Sequence, residues 1–338
     1  MELSYLGRVL KGVSFEKLNS VIDKVHEITG KSKMSIFFDI LHCTRKYGAG
    51  YFDYQIFAFY KLSEEQRATF VTRTVSRKMN QFFNDPNYTH LFDNKDEFNK
   101  TFAKFIRRRW LVIPESSREE IEQFVQGKAE VFVKIRDGEC SHGVERIKMT
   151  DYPNFDAFYQ HLLSGGFCLL EDVVDQHEEL ERLHPGSVNC MRIITLLDDD
   201  GVPHCLYAVQ KMGIGDTYVD CNCMFAPVDF ETGLIRYPAH AGNTPLGIVY
   251  DEQPDTHIKL VGYHIPFAPE AIAMCLEAAK VIPQVRYVGW DVAISKDGPE
   301  FIEGNMYCAH DFWQLPPHTP DGIGMLPTIM KYAKTFRR

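Results

Sequence analysis

Tyr287-Val288-Gly289-Trp290-Asp291-Val292-Ala293-Ile294-Ser295-Lys296-Asp297-Gly298-Pro299-Glu300-Phe301-Ile302-Glu303-Gly304-Asn305 decides how this chain is read. Two strand-like runs flank Lys296-Asp297-Gly298, a three-residue hairpin loop with glycine where a positive φ is wanted. Centring the turn on Asp297 sets Asp291 opposite Glu303, and Asn305, two residues on, shares their face. Val288, Trp290, Val292 and Ile294 take the other face as core, while Gly289 and Ala293 leave the polar face open enough for a ligand. Two carboxylates facing each other across a hairpin repel. A hard dication removes that repulsion, and two carboxylates with an amide oxygen are ligands that Mg²⁺ accepts beside substrate phosphates. Asp291→Asn or Glu303→Gln is then expected to leave stability near or above that of the parent. A solvated polar face, with the acids beside water, is the other reading of the same pattern.

Upstream, Ala129–Arg136 alternates so that Lys134 and Arg136 share one face and Val131, Val133 and Ile135 the other. The loop after it, Asp137-Gly138-Glu139-Cys140-Ser141-His142-Gly143-Val144, has glycines and small polar residues that let backbone N–H groups approach a phosphate. A lysine on the wet face of a two-stranded ribbon fits as well, and no internal partner for the charged face is evident. Phe167–Val174 is an apolar strand ending in Glu171 and Asp172, followed by a helix rich in Glu178, Glu179 and Glu181. In Ser187–Thr195, Arg192 sits amid apolar neighbours and needs an anion, either a protein carboxylate such as Glu179 or Asp172 or a bound phosphate or carboxylate.

The front of the chain reads as helical. Leu18, Val21, Ile22, Val25 and Ile28 recur at helical steps until Gly30. Ile36–Leu41 leads to the break at Gly48-Ala49-Gly50. Ser63-Glu64-Glu65-Gln66 has capping-box spacing ahead of a helix expected to run to about Phe83. A further helix is expected from Asp96 to Arg108. From Trp110 onward short β-like runs alternate with turns: Val131–Ile135, Phe167–Leu170, Val188–Leu197, Cys205–Val209, Tyr287–Ile294 and Phe301–Glu303. Helices are expected at Asn154–Leu163, Glu178–Leu183 and Pro269–Val281. The class is α+β with largely antiparallel sheets.

Composition agrees with a globular protein: 338 residues, 45% hydrophobic and 25% charged. The net charge of −9 argues against nucleic acid as a partner. No apolar run approaches the roughly 20 residues of a membrane span, and the N-terminus lacks the pattern of a signal peptide. Nine cysteines, an odd number in a chain this large, favour reduced thiols and a cytoplasmic location.

Together, the strand lysine with its glycine loop, Leu170-Glu171-Asp172-Val173-Val174, Gly289-Trp290-Asp291 and Glu303-Gly304-Asn305 resemble the ATP-grasp superfamily. Ser187-Val188-Asn189-Cys190-Met191-Arg192 and the Asp229-Phe230-Glu231-Thr232-Gly233 turn narrow the resemblance to its sugar-transfer-associated group. It covers roughly residues 90 to 338, and more faintly Asp53-Tyr54 and Leu62-Ser63-Glu64-Glu65 of the front. The resemblance implies an ATP-grasp fold, two α+β subdomains gripping ATP. These would be a lid at about 111–170 and a large subdomain at about 171–338, behind a helical module at 1–110. It implies that Asp291, Glu303 and Asn305 hold one or two Mg²⁺ ions on ATP, and that Lys134 and Lys95 touch its phosphates. The Ser141-His142-Gly143 loop would close over them, with residues 134–146 a mobile lid. Glu171 and Val173 would meet the adenine edge through backbone, Glu178 or Glu179 the ribose, and Arg192 the transferring phosphoryl group or an acyl phosphate.

The implied activity is ADP-forming ligation of a small-molecule carboxylate to an amine, with a uronic acid, amino sugar or amino acid of surface-polysaccharide assembly as substrate. A kinase on the same fold, acting on a small-molecule or sugar hydroxyl, is the alternative, and a non-catalytic glycan-assembly partner the next. The chain departs from the family where Ile135 follows the lysine in place of proline, and where Val219-Asp220 runs into Cys221-Asn222-Cys223 rather than paired glycines. Cys221 and Cys223 are expected to be inert thiols, and His240, His257 and His264 have no metal-ligand spacing.

Overall fold

The computed structural model describes residues 14–138, 143–216, 223–241 and 248–337. Its front is helical because the caps punctuate it. Ser14 caps Phe15–Thr29, which ends on left-handed Gly30, and Ser32 caps Lys33–Tyr47, which ends on left-handed Gly48. Ile28, counted with the apolar stripe, is exposed. The capping box at Ser63 is present, but its helix is only Glu64–Arg67. The chain turns at Phe70-Val71, where Gln314 Oε1 accepts the Val71 N–H (2.8 Å), and Thr72 then caps a separate helix, Arg73–Phe83. The helix expected over 96–108 is likewise short, Lys95–Thr101 followed by a 3₁₀ turn.

Eleven strands follow among the described residues, in two antiparallel sheets. The smaller has the order β1-β4-β2-β3, with β1 Trp110–Val112, β2 Glu130–Lys134, β3 Val144–Lys148 and β4 Leu169–Glu171. The larger has the order β11-β10-β5-β6-β7-β8-β9. Its strands are β5 Met191–Leu197, β6 Pro203–Gly213, β7 Cys223–Pro227, β8 Ala239–Ala241, β9 Val249–Tyr250, β10 Tyr287–Ser295 and β11 Gly298–Asn305. The helices Phe155–Ser164, Glu178–Leu183 and Ala268–Ala278 lie where sequence places them. Strands β1, β3, β7, β8 and β9 were not anticipated. They are two to five residues long, too short to show a period.

One face of the large sheet packs on the front. Ile194, Leu196, Leu206, Val209 and Tyr287 share a core with Tyr47, Phe57, Phe70, Met79 and Phe83 and with Trp313, Ile329 and Phe336. The other face carries Val288, Trp290, Val292 and Phe301 against the Ala268–Ala278 helix and Phe92, Phe98, Phe102 and Phe105. Trp290 and Phe301 stack at 4.8 Å, with Phe102 edge-on to Trp290 at 5.3 Å. Residues 92–108 therefore wrap the edge strand β11 and cover its otherwise open ladder.

Asn84 joins the front to the sheet. Its Nδ2 donates to the carbonyls of Tyr287 (2.8 Å) and Met306 (2.9 Å), and its Oδ1 accepts the Tyr287 N–H (2.9 Å). Asn84→Ala should leave three buried backbone groups unpaired and lower unfolding free energy by about 3 kcal/mol. Urea denaturation checks this, and a loss under about 1 kcal/mol would mean that water replaces the amide.

Candidate active site

The β10–β11 hairpin sets the site. Ser295 pairs with Gly298, and Gly298 supplies the positive φ (120°) that the loop needs. From that turn the ladder runs Ile294–Pro299, Ala293–Glu300 and Val292–Phe301, which on its own would set Asp291 opposite Ile302. A β-bulge takes Ile302 out of the ladder, and Asp291 pairs with Glu303 after all. Centring the turn on Asp297 was thus one residue out of register near the tip, and the bulge restores the pairing. Asp291 in turn pairs with Arg192 on β5, and Arg192 with Val209 on β6. Residues directly opposite share a face, so Glu303, Asp291 and Arg192 form one row, and Lys211, two beyond Val209, joins it.

The row corrects two expectations. The partner of Arg192 is neither Glu179 nor Asp172 but Asp291, reached by Nε and, at 2.6 Å, by Nη2. Glu179 bonds Tyr263 and Arg182, and Asp172 pairs with Lys128. Nor does Asp291 repel Glu303 unopposed, because Lys211 Nζ also lies 3.5 Å from it. Burial alone would raise the Asp291 carboxyl, but Arg192 and Lys211 outweigh it and hold it at about 2. Lys211, one residue past the Gln210 core amide, was not singled out from sequence. The unbroken run to Gly213, longer than the strand expected over Cys205–Val209, is the signal that would have found it.

In the smaller sheet, Lys134 is buried among four strands rather than on a wet ribbon, and its ammonium lies 2.5 Å from Glu171 Oε2. Glu171 also accepts from Arg108 Nη2 (3.0 Å) and Asn99 (2.8 Å). Burial would raise this carboxyl too, yet Arg108 and Lys134 hold it at about 2. Arg136 pairs with Asp96 and Glu97, so the charged face of β2 does have internal partners. Lys95 donates to the Gly138 carbonyl (2.5 Å). Its pKa is lowered by burial and by Lys134, against the pull of Glu303. Lys95 therefore lies within electrostatic reach of both Lys134 and Glu303. Ser141 and His142 lie outside the described residues. Gly143 has φ 72°, and its carbonyl accepts the Ile135 N–H (2.9 Å).

A cleft of about 720 Å³ opens at the other end of the hairpin, lined by Phe132 and Arg146, by Val173–Glu178, and by Glu181, Ser187 and Lys296. It faces the segment after β4, whose path is fixed by His177 N–H to Ile294 O (2.9 Å) and Lys296 N–H to Asp175 O (3.0 Å). Val173 and Glu178 line it, whereas Glu179 turns to Tyr263, and the Glu171 side chain is committed to the ion pairs. From Ser295, next to the cleft residue Lys296, to Asp291 is four residues, about 13 Å along the strand.

For a hard dication the donors fit. Glu303 and Asn305 are half-buried on one face, with Asn305 Nδ2 3.3 Å from Glu303 Oε1, and Asp291 lies opposite. Asp291 has already spent much of its charge on Arg192 and Lys211, so Glu303 is the acid with charge to give. No group of three His, Cys, Asp or Glu side chains able to hold a metal occurs among the described residues. The seven described cysteines, Cys223 among them, are free thiols, and Cys221 lies outside the described residues. No described helix is long and apolar enough to cross a membrane.

Comparison with known proteins gives a family match over part of the chain and a set of distant folds. Residues 159–320 match the family described as sugar-transfer associated ATP-grasp. Among solved structures, the chain is similar to the ATP-grasp ligase PsnB complexed with precursor peptide PsnA2 and AMPPNP, at 14% identity over 67% of this chain and 54% of that one (TM-score 0.40). It is similar to the N5-carboxyaminoimidazole ribonucleotide synthetase from Thermotoga maritima, at 13% identity over 69% and 47% (TM-score 0.39). It is also similar to the biotin carboxylase from Campylobacter jejuni, at 10% identity over 73% and 47% (TM-score 0.46). The chain spans about half the length of these structures. No curated protein matches it.

The ion pairs fix the effect of mutation and pH. Asp291→Asn removes the charge that buried Arg192 pairs with and should cost about 3–5 kcal/mol, whereas Glu303→Gln should cost under about 1 kcal/mol. Asp291 and Glu171 titrate near 4 when unfolded and at about 2 when folded. Their stabilisation is therefore complete above about pH 5 and lost as pH falls toward 2. Denaturation of both variants and a pH series check this; equal costs for the two substitutions would return Asp291 to a solvated role.

Proposed function

We propose that this chain, which carries a sugar-transfer-associated ATP-grasp region, is an ATP- and Mg²⁺-dependent ligase joining a small-molecule carboxylate to an amine through an acyl phosphate. The observation that carries the reading is the convergence of Glu303, Asn305, Asp291, Arg192 and Lys211 on one sheet face opposite Lys95 and Lys134. A purely structural sheet gains nothing from so many charges at a buried junction. The family description favours an acid or amine carried on a sugar.

In this reading the adenine lies in the hinge cleft against the Val173-Val174 backbone, and Glu178, which lines the cleft, takes the ribose. The phosphates run along the hairpin toward Asp291. Glu303 and Asn305, with Asp291 opposite them, would hold Mg²⁺, which would supply charge neutralisation at the phosphates. Lys95, its pKa lowered by burial, and Lys211 place further positive charge where the γ-phosphoryl group transfers. The two-point edge of Arg192 is spent on Asp291. Its remaining Nη1 is left to meet the substrate carboxylate or its phosphate. The lid sheet excludes water from the acyl phosphate until the amine attacks.

Glu303→Gln should abolish Mg-ATP turnover while the melting temperature stays within a few degrees of the parent. With uronic or amino acids, Mg-ATP and hydroxylamine, the parent should release ADP and phosphate and yield a hydroxamate. A stable phosphate ester without hydroxamate would make the protein a kinase. Absence of Mg-ATP binding by calorimetry would make it a non-catalytic partner.

A further inference from the structure

One buried contact between the helical front and the site is not used by that reaction. Asp53, on the Tyr51–Ile56 helix, is 1% exposed. One of its oxygens accepts the Arg73 N–H (3.1 Å), and the other lies 2.8 Å from His310 Nε2. A carboxylate at Nε2 fixes the proton there and leaves Nδ1 as the lone-pair nitrogen. No described residue hydrogen-bonds His310 Nδ1.

The ring is held firmly. Gln314 Nε2 donates to the His310 carbonyl (2.7 Å) and to the Val71 carbonyl (3.0 Å), and Phe57 packs edge-on to the imidazole at 6.0 Å. Residues on both sides of it reach the site. Cys308 Sγ and the Arg192 side chain both lie against Gly289, and the Phe312 ring sits 6.0 Å from the Arg192 guanidinium. The segment 308–312 thus crosses the sheet at the Arg192–Asp291 pair with His310 at its midpoint. A clasp alone would be served by any donor, whereas this one presents an oriented basic nitrogen.

We propose that His310 is the base that takes the proton of the attacking amine, with Asp53 of the helical front as its positioning residue. The inference rests on the ligase reading above. The amine nitrogen forms a bond to the carbonyl carbon of the acyl phosphate, and its N–H proton passes to His310 Nδ1. The bond from that carbon to the phosphate oxygen breaks, and inorganic phosphate leaves. Asp53 stabilises the imidazolium so formed, as a carboxylate does in a hydrolase triad. The helical front is then part of the active site.

His310→Gln keeps an Nε2 donor for Asp53 but has no basic nitrogen. With an acid that the parent activates, and ammonia as the amine, amide formation should fall about 100-fold, with the KM for ATP within about twofold and the melting temperature unchanged. Hydroxamate formation should fall far less, because hydroxylamine is the stronger nucleophile and its nitrogen, more acidic once bonded to the acyl carbon, can lose its proton to water. In His310→Ala, added imidazole should restore part of the amide rate. Equal loss of amide and hydroxamate without imidazole rescue, or full activity of His310→Gln, would overturn the proposal and leave a clasp. Failure of the ligase reading shows differently, as a parent that forms no hydroxamate with any acid. In that event histidine ¹⁵N shifts still decide the dyad: a His310 ring protonated on Nδ1 rather than Nε2 overturns it whatever the reaction.

Discussion

A single guanidinium holds the two sheets in register with each other. Arg108 is buried between them, pairing with Glu171 at the end of β4 and with Glu300 on β11, each at 3.0 Å, and donating to the Phe301 carbonyl at 2.6 Å. It thus links strand β4 directly to the hairpin. A charge this deep tolerates no vacancy, since each partner left behind would be an unpaired ion in a medium that penalises it by several kcal/mol. Arg108 therefore ties β4 of the smaller sheet to β11 of the larger through two buried ion pairs. Lys134 and Asn99, bonded to the same Glu171, share that restraint.

The same physics shapes the face that carries Asp291 and Glu303. Asp291 is made a permanent anion by Arg192 and Lys211, and it in turn keeps those two cations in place. Glu303, only half-buried and free of any ion pair among the described residues, is left as the acid whose charge is available to an incoming cation. The division of labour between two facing carboxylates follows from which of them has basic neighbours on the next strand. A hairpin viewed alone makes them equivalent.

That is also where sequence reading stopped. The face of Asp291, Glu303 and Asn305 was legible because alternation along two consecutive strands is local information. The partner of Arg192 was not, because β5 and β10 are a hundred residues apart and their pairing leaves no local trace. Arg108 entered only as the end of the helix expected from Asp96, and nothing in Arg107-Arg108-Arg109 distinguishes a buried ion-pair residue from a solvated block. The Ser63 capping box was read correctly and still misjudged in extent, since the helix ends at Arg67 and Gln314, far along the chain, then captures the Val71 N–H. Thr72, which caps the next helix, was the local sign of that restart. The hinge cleft needed the strand order of both sheets, and its lining came together only in three dimensions.

The bulge at Ile302 has a consequence for how such a hairpin can change over time. Because it takes up one residue between the tip and the acidic row, the length of the loop and the placement of Glu303 are separate variables. A relative that gained one residue at the Lys296-Asp297 tip and lost the one at position 302 would present the same acids to the same face. Substitutions that look like frame errors in an alignment of this segment are then neutral pairs, and the hairpin tip, which borders the cleft, is free to diversify around a fixed row of charges.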